Sequence, residues 1–125
     1  MSDNIQIEDE GLEGFLEYCR EIIQYESETK IRIFDDHEVA KEIKAMACFI
    51  PKTDEIWVLR GSRVRADWYR SLAHELVHLR QREQGIKMDG EDGSDIENEA
   101  NSLAAVILRE WGRRDPSIYE IPVTP

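Results

Sequence analysis

Apolar residues recur at helical spacing over Leu12, Phe15, Leu16, Cys19, Ile22 and Ile23, with Glu13, Glu17, Arg20 and Glu21 between them. That pattern predicts an amphipathic helix of about four turns. Lys30-Ile31-Arg32-Ile33-Phe34 alternates polar and apolar, the period of a half-buried strand. Asp35-Asp36-His37-Glu38 reads as a turn or helix start, leading into a short helix that carries Val39, Ala40 and Ile43. The apolar run from Ala45 to Ile50 stops at Pro51, Lys52 to Glu55 is turn chemistry, and Ile56-Trp57-Val58-Leu59 is rich in strand formers. Together they predict a β-hairpin ended by Gly61-Ser62. Helical spacing returns from Arg65 to Gln84, with Gly85 as the stop signal, and again from Ser94 to Trp111, where Gly112 and Pro116 close it. Ile86 to Gly93 is a glycine-containing acidic loop. Residues 1–10 read as a loose tail, and Ser117 to Pro125 as an extended one. The order predicts a single α+β domain over residues 1–125: an N-terminal helix, a short sheet with an antiparallel pair, and two long helices. No repeat, linker or low-complexity segment interrupts it.

Composition narrows the class. A chain of 125 residues can bury a core of its own. With 41% apolar and 34% charged residues, the sequence is too apolar for disorder and too polar for a membrane protein. No apolar run approaches the roughly 18 residues that cross a bilayer, and Met1-Ser2-Asp3-Asn4-Ile5 does not read as a signal peptide. Sixteen basic against 27 acidic residues give a net charge of −11, which repels nucleic acid and anionic lipid and argues against either as a partner. Cys19 and Cys48 form no Cys-x-x-Cys pair. They read as core thiols in a reducing compartment, which points to the cytoplasm.

The candidate chemistry lies in the first long helix, at His74-Glu75-Leu76-Val77-His78, a match to H-E-x-x-H. Each helical residue turns about 100°, so positions four apart differ by only about 40°. His74 and His78 therefore project from one face, one turn apart, where two imidazoles can share a tetrahedral Zn²⁺. Glu75 sits beside them, able to act on a water there without ligating the metal. Leu72, Leu76 and Leu79 form a stripe on roughly the opposite side, about 160–200° away. The histidines are thus expected on a cleft face rather than in the core. Only three histidines are present, and two are this pair.

A catalytic zinc takes a third protein ligand, and no histidine follows His78, which excludes a metzincin-type third histidine. Glu97-Asn98-Glu99-Ala100-Asn101, in the first turns of the second long helix, is the informative string. Glu97 and Asn101 share a face. Glu97 can ligate, and Asn101 can hydrogen-bond the far nitrogen of a ligand histidine and fix its tautomer. Two other accounts stand beside this one. Ser94-x-x-Glu97 matches a capping box, and Glu99 is a reserve ligand. The loop acids lack the order of a Ca²⁺ site.

H-E-x-x-H followed about twenty residues later by a glutamate on a second helix resembles the gluzincin metallopeptidases. The E-x-x-A-N string is similar to the glutamate helix of ImmA/IrrE-type proteins and of related integral-membrane peptidases. The short length resembles the minigluzincins. The resemblance covers about residues 39–112 and implies a small zincin-like fold, Zn²⁺ held by His74, His78 and Glu97, and Glu75 as general base. It also implies a downstream residue that stabilises the transition state. Tyr119 is the candidate, with Tyr69, Arg60 and His37 behind it.

The expected function is a zinc-dependent hydrolase of peptide bonds, acting on a peptide or protein substrate that the Ile56–Leu59 strand binds by strand addition. The alternative is a zinc-binding regulatory or interaction module on the same fold. A further expectation is latency, with the segment 117–125 lying in the cleft, against a plain surface tail. Arg60, Arg63, Arg65, Arg70, Arg80 and Arg82 crowd the first long helix. They either select acidic substrates or solvate the helix and complement nearby acids, and the second reading is preferred.

Overall fold

Leu12, Phe15, Cys19 and Ile23, spaced to share one side of a helix, are all fully buried. They dock the first helix, α1 (Glu10–Ile23), onto the rest of the chain. The structure is a computed structural model that describes residues 10–50, 52–85 and 94–121. After α1 come β1 (Lys30–Phe34), α2 (His37–Ile43), β2 (Ala47–Ile50) and β3 (Glu55–Leu59). Two long helices follow, α3 (Arg65–Glu83) and α4 (Ser94–Arg114), and then one 3₁₀ turn at Pro116–Tyr119. This is a small α+β arrangement, as the periodicities predict. Among the described residues no helix is long and apolar enough to cross a membrane. Both cysteines are free thiols: Cys19 is buried and Cys48 partly so.

The three strands form one mixed sheet in the order β1-β3-β2. β2 and β3 pair antiparallel, Ala47 opposite Val58, which is the expected hairpin. β1 joins the other side of β3 in parallel, Lys30 opposite Glu55. β3 is therefore the central strand, and Ile56, Val58 and Leu59 are completely buried. Asp36 caps α2 by accepting from the Glu38 backbone N–H, so the run of acids at 35–38 is a helix start.

Glu55 is the buried charge of the sheet, 5% exposed. Its carboxylate accepts from Arg32 Nε at 2.8 Å, Thr53 Oγ1 at 3.0 Å and Trp57 Nε1 at 3.0 Å. A buried carboxylate is tolerated when donors surround it. These same donors, the Trp57 indole first, hold its pKa below the ordinary 4.5.

α3 packs against α1, β2, β3 and α4, most extensively against α4, and α1 also touches α4. The leucine stripe of α3 is buried as expected, with Ala73 and Val77 beside it, and so are His78 and Gln81 on the other face. That face borders a cleft at His74 and Glu75, but His78 within it is only 7% exposed. Aromatic rings lock the helices together: Phe15 stacks on Tyr69 at 4.3 Å between centroids and meets Trp111 edge-on at 5.8 Å.

Two expectations about the C-terminal part change. α4 does not stop before Gly112 but runs through it to Arg114. The Tyr119 ring packs against Gly112, and a Cβ there would require that side chain to shift. Ser117–Tyr119 are not extended: Asp115 accepts from the Ser117 N–H and starts the 3₁₀ turn, which seats Ile118 completely inside the core. Residues 1–9, Pro51, the loop at 86–93 and residues 122–125 lie outside the described residues.

Two stability predictions follow from these contacts. Glu55→Gln removes the charge that three donors surround and is expected to cost about 2–3 kcal/mol in chemical denaturation. The folded-state pKa of Glu55 is depressed, so its contribution is complete above pH 4.5 and is lost as pH falls through the lower folded value. The wild-type chain should therefore lose stability on acidification below that point more steeply than Glu55→Gln. Ile118→Ala should cost about 2–4 kcal/mol, whereas a free surface tail would cost nothing.

Candidate metal centre

Sequence spacing brings His74 and His78 to one side of α3, and packing brings Glu97 of α4 over them. His74 Nε2 lies 3.0 Å from His78 Nε2. Glu97 Oε1 lies 3.1 Å from the first nitrogen, and Oε2 lies 3.2 Å from the second. A tetrahedral Zn²⁺ with bonds of 2.0–2.1 Å has ligand–ligand edges of about 3.3 Å. The two imidazole nitrogens are separated by close to such an edge, and each has a Glu97 oxygen at a comparable distance, Oε1 for the first and Oε2 for the second. These side chains form the one group of His, Cys, Asp and Glu among the described residues able to hold a metal ion.

The protonation of the site also suits a metal. Gln81, fully buried, donates from Nε2 to the Ile96 carbonyl at 3.1 Å and to Glu99 Oε1 at 2.7 Å. Both are acceptors only, so the amide orientation is fixed. Its Oε1 then faces His78 Nδ1 at 2.8 Å and requires a proton there. The other nitrogen, Nε2, is turned toward His74 and Glu97. Burial first, and the neighbouring His78 second, hold His74 below the ordinary 6.5, so its imidazole is neutral at pH 7. Asn101 hydrogen-bonds the His74 side chain. Two imidazoles and a carboxylate converge on one point, a donor set that fits Zn²⁺.

Glu75 points into the adjoining cleft of about 260 Å³, together with Ala47, Arg70, His74 and Asn101. Burial, reinforced by the Glu97 charge, pushes its carboxyl up to about 8. Burial first, and the neighbouring Glu75 second, raise the Cys48 thiol above its ordinary value.

Other expected site residues stand elsewhere. Glu99, the reserve ligand, is turned away and held by Arg80 at 2.6 Å as well as by Gln81, which lowers its pKa. The Tyr119 hydroxyl donates to the Leu108 carbonyl at 3.4 Å, about three helical turns beyond Glu97. The structure therefore does not bring Tyr119 to the cluster. The described residues 116–121 follow the end of α4, and Tyr119 borders a second cleft. Tyr69 is stacked in the core, Arg60 is paired with Asp35, and His37 sits against Gly61. The Ser94 side chain, on which the capping-box account depends, is outside the described ones. Gln81 was not singled out in the sequence, although its spacing shows it: positions 74, 78 and 81 share one helical face.

Gln81→Leu keeps the volume and removes the acceptor for His78. It is expected to weaken Zn²⁺ affinity about 10–100-fold with the fold retained, by competition against a chromogenic chelator. No protein-family model matches this chain, and no curated protein or solved structure does either.

Proposed function

We propose that this chain is a zinc-dependent peptidase. The observation that carries the reading is the convergence of His74, His78 and Glu97, their ligand atoms all within 4.8 Å of one another, beside a glutamate already in an H-E-x-x-H frame. His74, His78 and Glu97 would hold the ion. When bound, Zn²⁺ supplies Lewis acidity toward a carbonyl and lowers the pKa of water. Glu75 is then the general base: it takes a proton from the attacking water and returns it to the leaving amine. A nearby dication favours the ionised, basic form of Glu75 against the burial that opposes it.

β3 is paired on both sides, so the expected strand addition there is ruled out by the ladder. The free edge nearest the cluster is β2, whose Ala47 borders the cleft with Glu75 and His74. An extended peptide added along β2 would lie past the metal ligands with its backbone hydrogen bonds satisfied.

A second reading, a zinc-stabilised binding module with little hydrolysis, draws on Tyr119 standing away from the cluster. One experiment separates the two. The wild-type chain should take up one Zn²⁺ and cleave members of a peptide library, and a chelator should stop it. Glu75→Gln should retain zinc and cut kcat by about 10²–10⁴. A zinc-loaded wild type that cleaves nothing, or a Gln variant that cleaves equally fast, overturns the peptidase reading.

A further inference from the structure

The arginines around α3 separate cleanly once their partners are known. Arg60 pairs with Asp35 through two hydrogen bonds, at 2.9 and 2.8 Å. Arg63 donates to the Leu59 and Asp67 carbonyls and to Ser71 Oγ. Arg80 holds Glu99, Arg82 lies over the Phe49 ring at 4.9 Å, and Arg65 is engaged as well. Arg70 differs. It is exposed, forms no ion pair among the described residues, and borders the same cleft as His74, Glu75 and Asn101.

Arg70 also borders a second cleft, of about 280 Å³, on its other side. Arg109 of α4 lines that one, together with Asp67, Leu108 and Tyr119. Arg109 likewise has no ion pair among the described residues. Asp67 is the opposing charge, and it acts electrostatically on Arg63, which offsets it. Arg70 is the lining residue that the two clefts share. The first holds His74, one of the proposed metal ligands, and the second an excess of guanidinium. In a chain of net charge −11, such a local excess is selective: it attracts an anion only at short range.

Spacing sets where that anion belongs. Arg70 precedes His74 by four residues on the same helical face, about 6 Å along the axis. An extended peptide advances about 3.3–3.6 Å per residue, so this is roughly two residues from the metal ligands. A guanidinium presents a planar fork that matches a carboxylate. We infer that Arg70, assisted by Arg109, forms a carboxylate-binding subsite that gives the proposed peptidase a preference for substrates with a carboxylate one or two residues from the scissile bond. The carboxylate is either the peptide's C-terminus or an Asp or Glu side chain. The inference rests on the proposed function for its substrate, but the subsite itself needs no zinc and no turnover.

The test measures binding to two proteins that do not consume the probe: the zinc-free wild-type chain and the zinc-loaded Glu75→Gln chain. The probes are acetyl-Ala-Ala as the free acid, the same dipeptide as the amide, and acetyl-Ala-Asp amide. Affinity is read by NMR titration at low and at high salt. At low salt, the free acid or the aspartyl amide should bind at least tenfold more tightly than the neutral amide in both proteins. Which of them gains identifies the source of the carboxylate. Arg70→Ala should reduce the gain to twofold or less, Arg70→Lys should keep part of it, and added salt should shrink it. Equal affinity for all three probes overturns the inference. So does a gain that survives Arg70→Ala, which would place the carboxylate on the metal or on another cation. A gain seen only in the zinc-loaded protein also counts against it. A gain that depends on Arg70 in a chain that shows no hydrolysis would uphold the subsite while overturning the peptidase reading.

Discussion

The close approach of α4 to α3 is the constraint on which the site depends. Glu97, Ala100, Asn101 and Ala104 lie on one face of α4, and the two alanines are buried. Small side chains in a helix contact let the axes come near the short end of the usual 8–10 Å. That is what leaves Glu97, a residue still half in solvent, 3.1 and 3.2 Å from the two imidazoles. Bulkier residues at 100 or 104 would push the helices apart and take the carboxylate with them, although no histidine had changed.

Closeness has an electrostatic cost, and the molecule meets it in layers. In the inner layer, burial first and the Glu97 charge second oppose ionisation of Glu75, which the proposed metal ion would relieve. The outer layer is satisfied within the chain: Arg80 pairs with Glu99, Glu99 accepts from Gln81, and Gln81 accepts from His78. Each link leaves only one proton arrangement for the next. A partly exposed guanidinium is thereby linked to the tautomer of a buried histidine three hydrogen bonds away. A polar network of this kind rigidifies what it holds, and a rigid donor set suits an ion with narrow bond lengths.

Much of this was legible in the linear pattern. Period-3.6 spacing located α1, α3 and α4 and period-2 spacing β1, while the run of strand formers located β3. H-E-x-x-H named His74, Glu75 and His78, since helical geometry alone puts positions four apart on one face. Glu97 and Asn101 were readable from spacing plus chemistry. Three things were not. Gly112 and Pro116 read as terminators by residue type, yet α4 runs through Gly112, against which Tyr119 packs, and Pro116 opens a 3₁₀ turn that buries Ile118. Gln81 was not singled out, because its role depends on the Ile96 carbonyl and Glu99 of α4. The six arginines looked alike, and only their partners distinguish Arg70.

The sequence by itself determined which residues can share a helix face, where each long element begins and ends to within a few residues, and that a pair of imidazoles sits one turn apart. These are local matters, governed by backbone geometry over four or five residues. The tertiary structure alone decided that β3 is central and β2 the free edge, that α3 is covered on both sides, and that Tyr119 faces away from the histidines. These depend on contacts between residues far apart in the chain. A side chain's partner, and hence its charge state and its exposure, exists only once those segments have packed.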